Sequence, residues 1–251
     1  AFASLGVRRV RITGGEPLVR KNLPQLAGRL AAIPELEDLS LSTNAVALAR
    51  HAGALREAGI GRINVSLDSL QAERFREITR GKLDKVLDGL MAAKHCGFTP
   101  IKINMVVMKG VNDDEIEDMV EFCIEHDFTL RLIETMPVGS TGRSGSDHYL
   151  DLQTVRQRLE RSFELLPGVM PGGGPARYYR LPGAQGTLGF ISPLSEHFCG
   201  SCNRLRLTAD GKIKTCLFSR EEIDIKTPLR TGATQDEIIN IFGQAVANKP
   251  S

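Results

Sequence analysis

The sequence lacks any run of the roughly 20 apolar residues that would span a bilayer, and its opening, AFASLGVRRVRITGG, lacks the charged, apolar and small-residue order of a secretory leader. A cytoplasmic protein with no membrane partner is the expectation. It has little net charge, since 32 Lys and Arg against 30 Asp and Glu leave +2. Such a field is too weak to hold nucleic acid, so any anion site must be local. Cysteine is scarce and odd in number, five in all, with three inside the window Cys199–Cys216. That pattern fits metal ligation in a reducing compartment better than a disulfide framework.

What is present describes an ordinary folded chain: 251 residues, 41% hydrophobic and 25% charged, enough for one barrel-sized domain or a barrel with an appendage. Apolar, β-branched runs at Val10–Thr13, Leu39–Thr43, Ile63–Leu67, Ile101–Met108 and Leu130–Thr135 alternate with helical patterns. Strand-then-helix repetition implies a parallel sheet, closing as a barrel or lying open and doubly wound. One helix is expected after Asn22, with Pro24 in its first turn, and another from Asn112-Asp113-Asp114 to about Asp127. In either architecture function belongs at the carboxyl ends of strands. There lie Gly14-Gly15-Glu16-Pro17, Ser42-Thr43-Asn44, Ser66-Leu67-Asp68 and Met136-Pro137. After Pro137 the alternation stops, so a boundary is placed near residue 140. An α+β region follows, with a helix near Leu152–Phe163, a hairpin turning at Asp210-Gly211 and a capping box at Thr234 and Glu237.

Cys199-Gly-Ser-Cys202 is followed after 13 residues by Cys216. A hairpin at Asp210-Gly211 sets Cys216 roughly opposite Leu205, returning the third thiol toward the first two. Three thiolates suit a [4Fe–4S] cluster with one open iron, or zinc if His197 adds a fourth ligand, and incidental thiols remain a third reading. Cys96 and Cys123 sit on helical patterns and read as small buried side chains. Arg204 and Arg206 flank Leu205, and strand alternation aims both guanidiniums at one face as a fork for phosphate, against the alternative of solvated surface charge. Arg11, Arg20 and Lys102 lie in or after strands leading to the same face. Gly14-Gly15 permits close approach of a ligand, or merely a tight turn, and Glu16 would accept from a cationic group. That pair is neither the dinucleotide fingerprint nor a phosphate-binding loop. Pro171–Pro175 reads as a flexible connector.

RITGGEPLVR, NVSLDSL, KINMVVMKGVND, ETMPVG, GPARYYRLPG and FISPLSEHFCGSCNRLRLTADGKIKTCL together resemble the GTP 3′,8-cyclases of molybdenum cofactor biosynthesis, a family of the radical S-adenosylmethionine superfamily. The resemblance spans nearly the whole chain. It implies an α/β fold, an incomplete (βα)6-type barrel over residues 1–140, then a smaller α+β region, 141–251, carrying an auxiliary [4Fe–4S] cluster on Cys199, Cys202 and Cys216. It implies that Gly15, Ser66 and Met136 bind S-adenosylmethionine and that Arg11, Ser42, Lys102, Arg204, Leu205 and Arg206 bind GTP. The implied reaction begins when a reduced cluster cleaves S-adenosylmethionine and the resulting radical takes hydrogen from ribose C3′ of GTP. That carbon then attacks C8, giving (8S)-3′,8-cyclo-7,8-dihydroguanosine 5′-triphosphate.

Three departures from the family pattern stand out. The Cys-x3-Cys-x2-Cys loop that holds the family's first cluster has no counterpart in this sequence, so the second [4Fe–4S] cluster and the first strand are expected from a segment outside it. The chain also stops at Lys249-Pro250-Ser251 rather than in the family's Gly-Gly tail. It is therefore expected to be a trimmed form, inactive alone. Ser42 replaces a threonine and keeps the hydroxyl, while Ala45 replaces a glycine and would tighten its loop. Partners implied are an electron donor, cyclic pyranopterin monophosphate synthase downstream in the pathway, and a second copy in a homodimer. Rival readings are another radical S-adenosylmethionine enzyme with an auxiliary cluster, or a noncatalytic iron–sulfur or zinc protein.

Overall fold

A computed structural model of the chain describes residues 1–136, 147–170, 174–196 and 198–250. Five strands form within one residue of the expected bounds: β1 (Arg9–Ile12), β2 (Asp38–Thr43), β3 (Arg62–Ser66), β4 (Ile101–Val107) and β5 (Thr129–Glu134). Helices α1 (Leu23–Ala31), α2 (Leu48–Glu57), α3 (Ala72–Thr79), α4 (Leu83–His95) and α5 (Ile116–Glu125) connect them, and α6 (Leu152–Leu159) follows. The strands pair in parallel in strict chain order, β1 to β5. Order without reversal, joined by right-handed crossovers, puts every helix on one side and curls the sheet into an arc of a barrel. The alternative of a doubly wound sheet is thereby excluded, because that architecture reverses strand order at a switch point.

The sheet continues past the expected boundary near residue 140, whose immediate residues, 137–146, lie outside those described. Strand β8 (Thr187–Ile191) pairs in parallel with β5, and β7 (Arg177–Arg180) and β6 (Leu166–Gly168) complete an eight-stranded sheet as antiparallel neighbours. Three strands that local pattern assigned to the appendage thus extend the barrel arc.

Side-chain alternation divides this sheet into two chemically different faces. Leu41, Ile63, Val65, Ile103, Met105, Leu130, Leu132 and Leu188 are buried in the main apolar core with the helices. The alternate positions, Ser42, Asn64, Lys102, Asn104, Arg131 and Gly189, share rows across the sheet on the opposite, lumen face. The helices are seated closely: α4 crosses the β2–α2 loop at Gly89, where an added Cβ would stand 2.4 Å from the Ala45 carbonyl oxygen and 3.1 Å from Leu48 Cβ. Ala45 itself is fully buried with φ 59°, the left-handed region, and its N–H donates to Thr43 Oγ1 at 3.0 Å. The family's glycine position is therefore filled at the cost of a strained φ, and the loop is tight as expected.

Residues beyond 200 form a second small core. Strands β9 (Arg206–Leu207), β10 (Lys212–Lys214) and β11 (Ile223–Asp224) pair antiparallel in the order β11-β10-β9. They are followed by α7 (Lys226–Arg230) and α8 (Gln235–Ala247). The β9–β10 turn is at Asp210-Gly211 as expected, with Gly211 at φ 87°. The capping box of α8 is present in both directions, Thr234 Oγ1 accepting from Glu237 N–H and Glu237 from Thr234 N–H. Ile213, Ile225, Ile238, Phe242 and Ala245 pack together, and Phe2 stacks on Phe242 with ring centroids 4.5 Å apart.

Substituting Gly89→Ala should lower the unfolding free energy by about 2 kcal/mol, because the new methyl meets backbone that cannot yield cheaply. Urea unfolding measures this; an unchanged midpoint would mean α4 does not sit on the Ala45 loop as described.

Candidate functional site

The lumen face is polar because nearly every inward position carries a hydrogen-bonding group, and these groups hold one another. Arg131 donates from Nε to Asn104 Oδ1 at 2.8 Å and from Nη2 to Asn64 Oδ1 at 2.5 Å. Asn64 donates to the Leu41 carbonyl at 3.1 Å and to Ser42 Oγ at 3.4 Å. Ser42 is thus placed on the lumen network as the sequence suggested. Lys102, buried, donates to the Tyr178 hydroxyl at 3.2 Å, with its ammonium 5.2 Å from the ring centre.

These groups border a cavity of about 370 Å³ lined by Arg11, Arg62, Lys102, Arg131 and, from the β6–β7 hairpin, Arg177 and Tyr178. Arg11 and Lys102 were expected here. Arg62, Arg131 and Tyr178 were not singled out, although a charged residue inside the apolar run Leu130–Leu132 is a signal that its side chain faces away from the core. Asp38 lies close to these charges, accepting from Arg62 Nε at 2.8 Å and also bridging to its Nη2, while Arg177 pairs with Glu196 at 2.8 Å. Crowded cations lose protons more easily. Burial and the charges of Arg131, Arg62 and Arg11 pull Lys102 down to about 7. Burial brings Arg131 to about 10 against the favourable influence of Tyr178. Arg11 is lowered by burial and by Arg62 and Arg204. Arg204 therefore lies within electrostatic reach of the lumen, which joins the small module to the same basic site. The cavity is built to receive a compact polyanion.

At the carboxyl ends of the strands, Gly15 follows β1, Ser66 ends β3 and is exposed, and Met136 lies two residues beyond β5. All three border one rim. Beside them the buried Thr135 hydroxyl has no hydrogen-bond partner among the described residues. An orphaned buried hydroxyl on this rim fits a site that binds a polar ligand. Glu16 behaves differently from expectation. Its carboxylate accepts from Leu18 N–H at 2.9 Å, Thr43 Oγ1 at 2.7 Å and Asn44 N–H at 2.7 Å, so it braces two strand-end loops instead of standing free for a cation.

Glu134, almost fully buried, accepts from Leu194 N–H at 2.9 Å, Ser195 N–H at 3.2 Å and the Ser195 hydroxyl. The end of β5 is thereby fastened to the segment that leads into Cys199. Cys199 and Cys202 flank a single helical turn, the Cys202 N–H donating to the Cys199 carbonyl at 3.0 Å. The ladder pairs Ile213 with Leu207 and Lys214 with Arg206. Continued, that register sets Cys216 across from Arg204, one residue from the expected Leu205. Arg206 feels the charges of both Cys202 and Cys216. Burial raises the Cys202 thiol, but the Arg204 N–H and guanidinium with Lys249 outweigh it and bring Cys202 to about 7. Among the described residues no three metal-ligating side chains are already gathered about one point. The donor set itself, free soft thiols at one end of a small sheet in a cationic setting, fits an iron–sulfur group. His197 lies outside the described residues. Leu205 turns to the small core and packs there, away from the basic cavity. Cys123 is buried in α5 and its thiol is pushed up by burial, and Cys96 is half-buried at the end of α4; neither joins the site.

The radical SAM superfamily model matches residues 1–123, and the Molybdenum Cofactor Synthesis C model matches residues 128–251. The chain is 48% identical over 252 residues to the GTP 3′,8-cyclase of Heliobacterium modesticaldum, covering 99% of this chain and 77% of that protein. It is 48% identical over 251 residues to the GTP 3′,8-cyclase of Moorella thermoacetica, with the same coverage. Among solved structures, Streptococcus suis SuiB bound to precursor peptide SuiA is 22% identical, with a TM-score of 0.49 over 61% of this chain and 34% of that one.

The lowered pKa of Lys102 makes anion binding pH-dependent. A bound anion favours the ammonium form and raises the pKa, so affinity should be full below about 7 and fall as pH rises through that value. Sulfate, whose charge is constant in this range, serves as the probe in calorimetry from pH 6 to 9. The slope should vanish in Lys102→Met, and a pH-independent affinity in the unsubstituted protein would contradict the assignment.

Proposed function

Because the chain belongs to the GTP 3′,8-cyclase family of radical S-adenosylmethionine enzymes, whose activity is the cyclisation of GTP in molybdenum cofactor biosynthesis, we propose how its residues divide that work. The observation that carries the reading is the cationic cavity of Arg11, Arg62, Lys102 and Arg131, which Arg204 approaches from the small module. It receives the triphosphate of GTP. Arginine forks engage phosphate oxygens in pairs, and the low-dielectric lumen strengthens each contact. With the phosphates fixed there, the nucleoside extends between two places: the strand-end rim of Gly15, Ser66 and Met136, and the loop of Cys199, Cys202 and Cys216.

Gly15, Ser66 and Met136 would hold S-adenosylmethionine on that rim, and the unpartnered Thr135 hydroxyl supports a polar occupant there. Cys199, Cys202 and Cys216 would hold the auxiliary [4Fe–4S] cluster and leave one iron without a protein ligand. When bound, these groups supply the one-electron chemistry that no side chain can. The protein's own contribution is position. Glu134 fixes the cysteine-bearing segment against β5, the Asn64–Arg131–Asn104 network fixes the phosphate end, and the apolar helix face outside keeps the sheet rigid. Arg204 and Arg206 hold phosphate or ribose oxygens from the cluster side. Ser42 tunes the network through Asn64 rather than by direct charge.

Two measurements test this. Replacing Arg204 and Arg206 together with alanine should weaken GTP binding at low salt by about 2 kcal/mol or more, the worth of lost charge-assisted bonds; unchanged affinity would remove them from the substrate site. Replacing Cys199, Cys202 and Cys216 with alanine should lower the iron and sulfide of the anaerobically reconstituted protein by about four each, one cluster's worth. Zinc bound stoichiometrically at these thiols, with no iron, would defeat the cluster assignment.

A further inference from the structure

From the β6–β7 hairpin the Tyr178 hydroxyl reaches Lys102 in the basic cavity, and its surroundings constrain what its proton can do. Tyr178, Gly189 and Arg131 occupy one row across β7, β8 and β5. At Gly189 an added Cβ would lie 2.8 and 3.0 Å from Tyr178 Cε1 and Cδ1 and 3.3 Å from Arg131 Cγ. The missing side chain therefore leaves the slot in which the tyrosine ring lies over β8 toward Arg131 on the lumen face. There its oxygen accepts from Lys102 at 3.2 Å, close enough to Arg131 to favour that guanidinium's charge. A phenol has two acceptor lone pairs and one proton to donate. With Lys102 donating to the oxygen, the O–H is left without an acceptor among the described residues, on the wall of an anion cavity.

We infer that Tyr178 is a further substrate-binding residue, whose phenolic O–H donates to a polyphosphate oxygen of GTP while its oxygen holds Lys102 beside it. The inference rests on the reading that this cavity receives the triphosphate. A bound phosphate keeps Lys102 charged, and hence a donor to the phenol, so the phenolic proton is directed at the phosphate. The donor is a dipole rather than an ion: it adds a directional bond without adding charge to a crowded cationic site. It therefore selects a phosphate oxygen at a defined place, which favours one chain length of phosphate over shorter ones.

The test is calorimetric titration of the anaerobically reconstituted enzyme with GTP, GMP and guanosine. Tyr178→Phe should weaken GTP by about tenfold or more, the worth of one hydrogen bond to a charged oxygen, leave guanosine unchanged, and melt at the parent temperature. The same loss should persist in a Lys102→Met background, because the bond is made directly to substrate. Loss confined to the parent background would show the hydroxyl acting only through Lys102 and would overturn the inference. Full GTP affinity in Tyr178→Phe, with Lys102→Met weakened, overturns it while leaving the triphosphate reading intact. If neither variant weakens GTP, both fall together. A folded Gly189→Ala protein, its ring displaced from the slot, should match Tyr178→Phe; parent affinity there also counts against the proposal.

Discussion

Like charge confined in a low-dielectric space governs this structure. Arg11, Arg62, Lys102 and Arg131 share one lumen, and the nearby carboxylate of Asp38 is already committed to Arg62. Mutual repulsion and desolvation push Arg11, Lys102 and Arg131 toward the neutral form, Lys102 down to about 7. A polyanion relieves both costs at once. The site is thus arranged for its ligand at the expense of the empty fold, a trade seen where binding residues sit on an otherwise rigid scaffold.

The rest of the molecule keeps those cations in place. Strict strand order curls the sheet so that one face turns to the helices and the other encloses the lumen. The amides of Asn64 and Asn104 occupy the Arg131 guanidinium, so a buried charge has neutral acceptors instead of an ion partner. The small module adds Arg204 from outside, and its own core of Ile213, Ile225, Ile238 and Phe242 is stapled to the start of the chain by Phe2.

Much of the barrel was legible because periodicity is local: β1 to β5 were read within a residue, as were the β9–β10 turn and the capping box of α8. What lay hidden depends on distant pairing. Strands β6 to β8 are short and interrupted by Pro and Gly, and nothing in their own sequence says that β8 joins β5. Arg62, Arg131 and Tyr178 escaped for the same reason, since only the cross-strand register brings them to Lys102. The bracing role of Glu16 was hidden because its donors Thr43 and Asn44 come from another strand end, far away in sequence. Leu205 was carried along between two arginines, and strand alternation turns it the other way, into the small core. The cysteine loop was readable as a donor set, while the register of Cys216 was off by one residue, as expected when a turn fixes only approximate pairing.

Glu134 joins the end of β5 to the segment entering the cysteine loop through one buried carboxylate. With the β5–β8 pairing, this carboxylate ties the rim beside Met136 to the segment that enters the thiol-bearing loop. A displacement of either is communicated to the other through the protein itself, so the span between strand-end rim and thiol-bearing loop behaves as a gauge length fixed by the fold.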